Sequence, residues 1–525
     1  MTTAIDFDEL QAAADRGLAI SYHAAAEPHR PALLDGSSTV RTFGELDRRA
    51  NQLARALRRR GLAAGDAVAL LCANRAEFVE VLAATQRAGL RLTPVNWHLT
   101  GDEVGYIVAD CEADAFVADA RFASVAAVAA AAAPDAQVRV SIGGPIDGFE
   151  PYEGALAAEP GDGLADPSLG WSMLYTSGTT GRPKGVHRNQ APVSAKLAAG
   201  MAGYRPGDVH LCTGPLYHAA PLLFSMSVPL LVGVPVVLTD GWDARRCLRL
   251  IEEQRVTHTH MVPTMFHRLL ALPDDVRMGA DISSLRYVIH GAAPCPVPVK
   301  RRLIEWIGPV VHEYYAATEG LGTFVDSETW LSKPGTVGKP WPDDQVYVGD
   351  EESRRLPPGE IGLVWLKAAT IDRFEYFKDD AKTASTYRGE HFTLGDVGYL
   401  DADGYLFLTD RSANVIISGG VNIYPAEIDA VLLEHPAVGD VATIGIPDEE
   451  WGEAVLAVVE PGDGHVASTE LGNELLAFCR QRLAGFKCPR RVDFVAELPR
   501  QDNGKIYKRI LRDRYRTAPG PTGKA

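Results

Sequence analysis

The sequence predicts an α/β protein in two unequal parts: a large N-terminal domain of several subdomains, built from layered sheets and helices, and a small α+β C-terminal domain. Three observations carry that expectation. Through most of the chain short apolar runs alternate with stretches of helical apolar spacing, the pattern of helices laid on sheets. After about Gly359 the texture shifts to shorter strands, and Asp403-Gly404 sits between two apolar runs as a hairpin turn. The length of 525 residues exceeds what one ordinary core holds.

Residues Phe43 to Arg60 space their apolar side chains as a helix with an arginine-rich outer face, and Ala67-Val68-Ala69-Leu70-Leu71 reads as a buried strand. A helix from about Arg75 to Ala88 follows and Gly89 ends it. The alanine run from Ala126 to Ala133 reads as an ordinary exposed helix. Pro221 to Thr239 is apolar enough to be weighed as a membrane span, but Pro229, Gly233 and Pro235 break it into helix, turn and buried strand. The alternation continues with a strand at Pro235 to Leu238, a helix at Ala244 to Gln254 and a strand at Tyr287 to Ile289. Beyond the hairpin of Tyr399 to Leu408, the polar run Asp410-Arg411-Ser412-Ala413-Asn414 marks a domain boundary, with an N-terminal domain over 1–410, a hinge over 411–414 and a C-terminal domain over 415–525. Helices from about Pro425 to Glu434 and Glu470 to Leu483, with strands at Val441 to Ile444 and Ala454 to Val459, suffice for that second domain.

Composition narrows the function classes. Apolar content of 46% and charged content of 23% are those of a soluble globular protein, and a net charge of −16 argues against general nucleic-acid binding. The basic run from Lys505 to Arg516 is a local exception. Seven cysteines form no CxxC pair and no His-flanked cluster, so they read as reduced, mostly buried residues rather than a zinc site or disulfide framework. The first residues have neither a basic nor an apolar signal region, which with the cysteines predicts a cytoplasmic protein without stable membrane insertion.

The segment Tyr175-Thr176-Ser177-Gly178-Thr179-Thr180-Gly181-Arg182-Pro183-Lys184-Gly185 has the chemistry of a phosphate cradle. Its glycines let backbone N–H groups approach an anion, its hydroxyls add donors, and Arg182 and Lys184 supply charge. It is not the common P-loop, because Pro183 precedes the lysine and Gly185 follows it. An isolated Gly/Ser/Thr run is more often a flexible loop, and the ordered ending Arg-Pro-Lys-Gly reverses that reading. Seven further segments follow in order: Pro215-Leu216-Tyr217-His218, His290-Gly291-Ala292-Ala293-Pro294, Glu313-Tyr314-Tyr315-Ala316-Ala317-Thr318-Glu319, Leu394-Gly395-Asp396, Asp410-Arg411, Gly419-Gly420-Val421-Asn422-Ile423-Tyr424-Pro425, and Leu498-Pro499-Arg500 with Gly504-Lys505.

Together these segments resemble the acyl-adenylate-forming superfamily of AMP-dependent synthetases and ligases, over roughly Thr42 to Arg512. The resemblance implies that a carboxylate attacks the α-phosphorus of ATP while pyrophosphate leaves, and that the acyl group then passes to coenzyme A. Both partners of the first step are anions, so charge cancellation and in-line geometry matter more than a nucleophilic side chain. By resemblance, Thr176, Ser177, Gly178, Thr179, Thr180 and Lys184 hold phosphates, Thr318 meets the α-phosphate, and Glu319 binds Mg²⁺. Tyr315 stacks on adenine opposite Gly291, Ala292 and Ala293, while Asp396 and Arg411 reach the ribose. His218 stands at the junction of the acyl and pantetheine tunnels. Lys505 bridges carboxylate and phosphate during adenylation, and a mobile small domain then exchanges it for the Gly419-Gly420 segment. Read alone, each has a plainer meaning: Thr318-Glu319 a helix start, Asp396 an Asx turn, His218 a core histidine, Lys505 a surface charge.

Two departures stand out. Ala413 occupies a hinge position where lysine or aspartate is common, and Ala316 stands where glycine is frequent, its methyl crowding the floor of the acyl pocket. The pocket candidates Ala219, Ala220, Leu223, Phe224, Ala317 and Leu321 are apolar, which predicts a fatty or bulky alicyclic acid, with an aryl acid open. The expected protein is thus an acyl-CoA synthetase using ATP, Mg²⁺ and coenzyme A. A ligase serving a carrier protein or amine is the first alternative, a non-catalytic acyl-nucleotide sensor the second, and homo-oligomerisation is left open.

Overall fold

The computed structural model describes residues 5–35, 38–176, 183–188, 193–340, 342–368, 373–411, 414–418, 421–448, 451–500 and 506–517. Among them, an all-parallel sheet has the strand order Glu150–Pro151, Val138–Ile142, Ala113–Asp119, Ala67–Leu71, Arg91–Val95, Trp171–Ser172. Parallel neighbours need crossovers, and helices supply them. Helix Phe43–Arg59 starts at a capping box between Thr42 and Glu45, and helix Ala76–Arg87 is buried on nearly every side. Within that layer the fully buried Glu80 accepts from Arg41 and Arg49 at 2.6 and 2.7 Å and from the Tyr152 hydroxyl at 2.8 Å. The arginine face expected to be solvated instead ties down the connection after residue 149. Arg58 pairs with Asp166, Arg59 with Glu159 and Arg60 with Glu150.

A second sheet runs Lys339–Pro340, Gly320–Val325, Val311–Ala317, Tyr287–His290, His258–Met261, His210–Cys212, Val236–Leu238, Pro31–Asp35, Ser38–Thr42. Its middle strands are parallel and both ends antiparallel. The apolar stretch before Thr239 forms helix Ala219–Leu222, a π-turn Leu223–Ser227, helix Val228–Leu231 and strand Val236–Leu238, as its prolines and glycine require. Among the described residues no helix is long and apolar enough to cross a membrane. The alanine-rich helix Ala123–Ala132 buries Ala126, Ala129 and Ala130 against its sheet, so it is not the exposed helix expected.

The hairpin of His391–Leu400 with Leu406–Arg411 forms as the Asp-Gly signal required. Past it, strands Val421–Ile423, Ile416–Ser418, Gly452–Pro461, Val438–Asp448 and Arg491–Phe494 make one sheet, flanked by helices Pro425–Leu432, Thr469–Arg480 and Lys508–Thr517. Asp410 links the two sides of the expected boundary, accepting from the Ala426 backbone N–H at 3.1 Å. Ser412 and Ala413 lie outside the described residues. All seven cysteines are free, six of them buried and Cys295 half-buried.

Candidate active site

A small three-stranded sheet organises the phosphate segment. Leu174–Thr176 pairs antiparallel with Lys184–Arg188, which pairs in turn with Phe374–Tyr376. Thr176 and Lys184 are direct cross-strand partners, so the Gly/Ser/Thr segment is closed by a hairpin; Ser177, Gly178, Thr179 and Thr180 lie outside the described residues. The Lys184 ammonium pairs with Asp379, holding that carboxyl below the usual range, and Asp379 also caps helix Asp380–Thr386.

The same sheet reaches the Thr-Glu segment. Tyr376, opposite Val186 in the ladder, donates its hydroxyl to Glu319 Oε1 at 3.0 Å. Burial and the Glu319 charge push the Tyr376 phenol well above its ordinary pKa. Thr318 and Glu319 are the turn between strands Val311–Ala317 and Gly320–Val325, whose register pairs Ala317 with Gly320. They form a two-residue hairpin turn and not a helix start. Arg188 donates to the Thr318 carbonyl at 3.3 Å, and Glu319 is 8% exposed.

The nucleotide candidates meet nearby in sequence order. Tyr315 donates to Asp396 Oδ2 at 2.7 Å, joining the residue assigned to adenine with the one assigned to ribose. Asp396 pairs with Arg411 in the backbone ladder; the Arg411 side chain lies outside what is described. Gly291 has no room for a side chain, since a Cβ there would lie 2.6 Å from Cζ of Tyr314. Ala292 adopts φ 67°, a left-handed conformation uncommon for a residue with a Cβ, so the turn after strand Tyr287–His290 is a constrained one. His218 stands at the N-cap of helix Ala219–Leu222, its ring 4.7 Å from Tyr217, which meets Trp97 edge to face at 6.4 Å.

Among the apolar pocket candidates, Leu321 is misassigned: it is 60% exposed on its strand. Ala220, Phe224 and Ala316 pack together against Tyr287, Ile289 and Tyr314. Lys505, Gly419 and Gly420 lie outside the described residues. The flanking strands Ile416–Ser418 and Val421–Ile423 pair with Ser418 opposite Val421, and Arg500 pairs with Ile506 in a bridge.

Sequence reasoning missed the groups behind this surface. Lys300 and Glu313 are buried together, the ammonium donating at 2.6 Å, and His290 Nε2 lies 3.6 Å from the same carboxylate. Burial pushes the Glu313 carboxyl up against the opposing pull of Lys300, and pushes the His290 imidazolium far down, so that ring is neutral. Alternation along Val311–Ala317 could have flagged Glu313 as inward-facing; nothing local flags Lys300. For Mg²⁺ the donor at Glu319 fits: a hard carboxylate, tied through Tyr376 to the strand that begins at Lys184, is what that ion takes, with phosphate oxygens and waters completing its shell.

This arrangement has counterparts of known class. Residues 20–373 match the AMP-binding enzyme family and residues 427–505 the AMP-binding enzyme C-terminal domain. The chain belongs to the AMP-binding enzyme family. It is 36% identical over 501 residues to a feruloyl-CoA synthase of Amycolatopsis sp, covering 94% of this chain and 97% of that one. It is 34% identical over 508 residues to the fatty acid–[acyl-carrier-protein] ligase ScoC of Streptomyces coeruleorubidus, covering 94% and 95%. The crystal structure of the anthranilate CoA ligase AuaEII with anthranoyl-AMP superposes with a TM-score of 0.84 at 27% identity, covering 95% of this chain and 97% of that one.

Proposed function

We propose that the chain is an AMP-forming acyl-CoA synthetase. One observation carries the reading: the Tyr376–Glu319 hydrogen bond joins the hairpin of Lys184 to the Thr318-Glu319 turn, mounting both candidate phosphate-handling groups on one frame. In the first step a carboxylate oxygen bonds to the α-phosphorus and the bond to pyrophosphate breaks. Lys184 and the hydroxyls of Thr176 to Thr180 offset the charge of the phosphates, Thr318 donates to the α-phosphate, and Lys505 bridges the two anions. Glu319 would hold Mg²⁺, which supplies positive charge to the phosphate oxygens. The Tyr315–Asp396 pair holds the nucleoside, with Arg411 on the ribose, against the wall of Gly291 to Ala293. In the second step the sulfur of coenzyme A attacks the acyl carbonyl carbon, the thiol proton is lost and AMP leaves with the carbonyl–oxygen bond's electrons.

In this reading a hinge over 411–414 lets the small domain, 415–525, exchange Lys505 for the Gly419-Gly420 segment beside His218. The seven free cysteines, six of them buried, support a cytoplasmic location. The name of ScoC favours one second reading, transfer to a carrier protein; AMP release that depends on coenzyme A separates the two.

The test is Lys505→Ala in two single-turnover assays. Loss of a preorganised charge costs about 10²–10³ in rate, so acyl-AMP formation from acid and ATP should fall by that factor. Conversion of supplied acyl-AMP and coenzyme A to thioester should stay near wild type. Equal loss in both, from a folded variant, rejects the exchange.

A further inference from the structure

The second sheet presents an unusual face to the π-turn that follows His218. In register, His210, His258 and Tyr287 align across three strands, and Cys212, His260, Ile289 and His312 align in the next row. The row beyond ends in Tyr314. The imidazoles of the two middle strands are engaged: His210 lies between the Tyr204 hydroxyl and Ser225 Oγ at 2.9 and 3.1 Å, and His258 Nε2 is 2.8 Å from the Ala202 carbonyl. His260 Nε2 lies 2.9 Å from the Tyr314 hydroxyl. This layer is rigid and polar where an alkyl tunnel would need aliphatic, adaptable walls.

Phe224 closes the layer from above. Its ring is parallel to His260 at 5.7 Å and 4.7 Å from Tyr314, so three aromatic groups meet, and the pocket candidates Ala220 and Ala316 pack against the same cluster of Tyr287, Ile289 and Tyr314. Tyr314 also fills the space that Gly291 leaves, which places its ring against the wall shared by the nucleotide and acyl sites. Tyr314 keeps 7% of its surface exposed and His260 1%, so of the pair Tyr314 lies nearer the surface of the layer.

Resting on the ligase reading, we propose that the acyl group is a compact aromatic or ring-bearing acid with a hydrogen-bonding substituent at its far end, read by Tyr314 with His260 as positioning residue, and not a long unbranched chain. The chemistry is complementary in either tautomer. If the phenol donates to His260, its oxygen accepts from a substrate hydroxyl; if His260 donates, the phenol proton is available to a substrate oxygen. The fatty or alicyclic expectation drawn from the apolar residues alone is thereby narrowed, because the floor comes from strands distant in sequence.

The experiment compares non-hydrolysable sulfamoyl-adenosine analogues bearing para-hydroxyphenylpropanoyl, phenylpropanoyl and dodecanoyl groups, by calorimetric titration. The wild type should bind the hydroxylated ring about tenfold tighter than the plain ring, the worth of one buried hydrogen bond, and dodecanoyl weakest. Tyr314→Phe should equalise the two rings, and Phe224→Ala should improve dodecanoyl. Dodecanoyl binding wild type as tightly as the rings, or a hydroxyl preference that survives Tyr314→Phe, overturns the assignment. Pyrophosphate release from the parent acids is read separately: its absence with the binding order intact rejects the ligase reading and leaves the pocket assignment standing.

Discussion

The two large sheets of the N-terminal region are built by the same rule and furnished differently. The Ala67–Leu71, Arg91–Val95 and Ala113–Asp119 strands put alanine, valine, leucine and phenylalanine on their faces and bury nearly all of them. The second sheet buries His210, His258 and His260 on one face and His290 with Glu313 on the other. A buried imidazole or carboxylate lowers stability unless it is neutral or paired. The first sheet therefore behaves as scaffold, and the second accepts a weaker core where the candidate chemistry lies, the kind of local rule-breaking that functional sites show.

Breaking the buried pair of the second sheet should have the largest effect. Lys300→Met strands the buried Glu313 carboxylate beside the neutral His290, and such a loss costs about 3–5 kcal/mol. Denaturant unfolding measures it, and Lys300→Met with Glu313→Leu should recover most of it. A loss below about 1 kcal/mol would mean that the pair contributes no more than a surface one.

The scaffold side of the comparison is sharpened by Leu70→Ala, at a fully buried position of the first sheet. The cavity should cost about 2–5 kcal/mol of stability. It should leave the ATP and acid KM values at wild-type levels well below the melting temperature. Altered KM values would show that the two sheets are not separable in function.

Periodicity placed the strands it named to within a residue or two, as at Ala67–Leu71 and Tyr287–His290, and left the other strands of both sheets unread. The candidate site residues were legible where their signal is local. Asp396, Tyr315 and the Thr318-Glu319 turn carry short motifs, and the Tyr315–Asp396 contact brings two of them together across 81 positions of sequence. What stayed hidden is non-local by nature. Tyr376 and Asp379 belong to a strand and a cap nearly 200 residues after the lysine they support. Lys300 sits in a run, Val297 to Leu303, that reads as an exposed helix face. Its burial depends on a carboxylate delivered by the next strand.

A third prediction falls on the nucleotide side. Asp396→Ala removes a charged acceptor whose hydrogen bonds are worth on the order of 1.5–3 kcal/mol, so ATP KM should rise more than about fivefold. Stability should change less than in Lys300→Met, since Tyr315 is only half-buried and water can replace its partner. Steady-state kinetics at saturating acid decide it, and an unchanged ATP KM removes Asp396 from the nucleotide site. Tyr315→Phe controls for loss of the Tyr315–Asp396 bond alone.

The smallest effect per step is in acid, and it should divide the sheets. Burial depresses His258 to a pKa of about 4 and His260 to about 3, against an ordinary 6.5. Between those values the unfolded chain binds protons that the folded sheet refuses, so unfolding takes up protons. Stability is then full above pH 6.5 and lost as pH falls through that window, by about 1.4 kcal/mol per pH unit for each imidazole. Carboxylates add their own acid dependence, which the variant His260→Gln leaves in place while removing one titrating ring and keeping a partner for Tyr314. The difference in unfolding free energy between wild type and variant should therefore change by about 1.4 kcal/mol per pH unit between pH 6 and pH 4 and be flat above about pH 7. Hydrogen exchange corrected for intrinsic rate should show the strands at His210–Cys212 and His258–Met261 losing protection first. The first sheet, whose strands contain no histidine, should hold its protection longer in acid. Simultaneous loss in both sheets would mean that the large domain opens as a single cooperative unit, and that its polar half is no weaker than its aliphatic one.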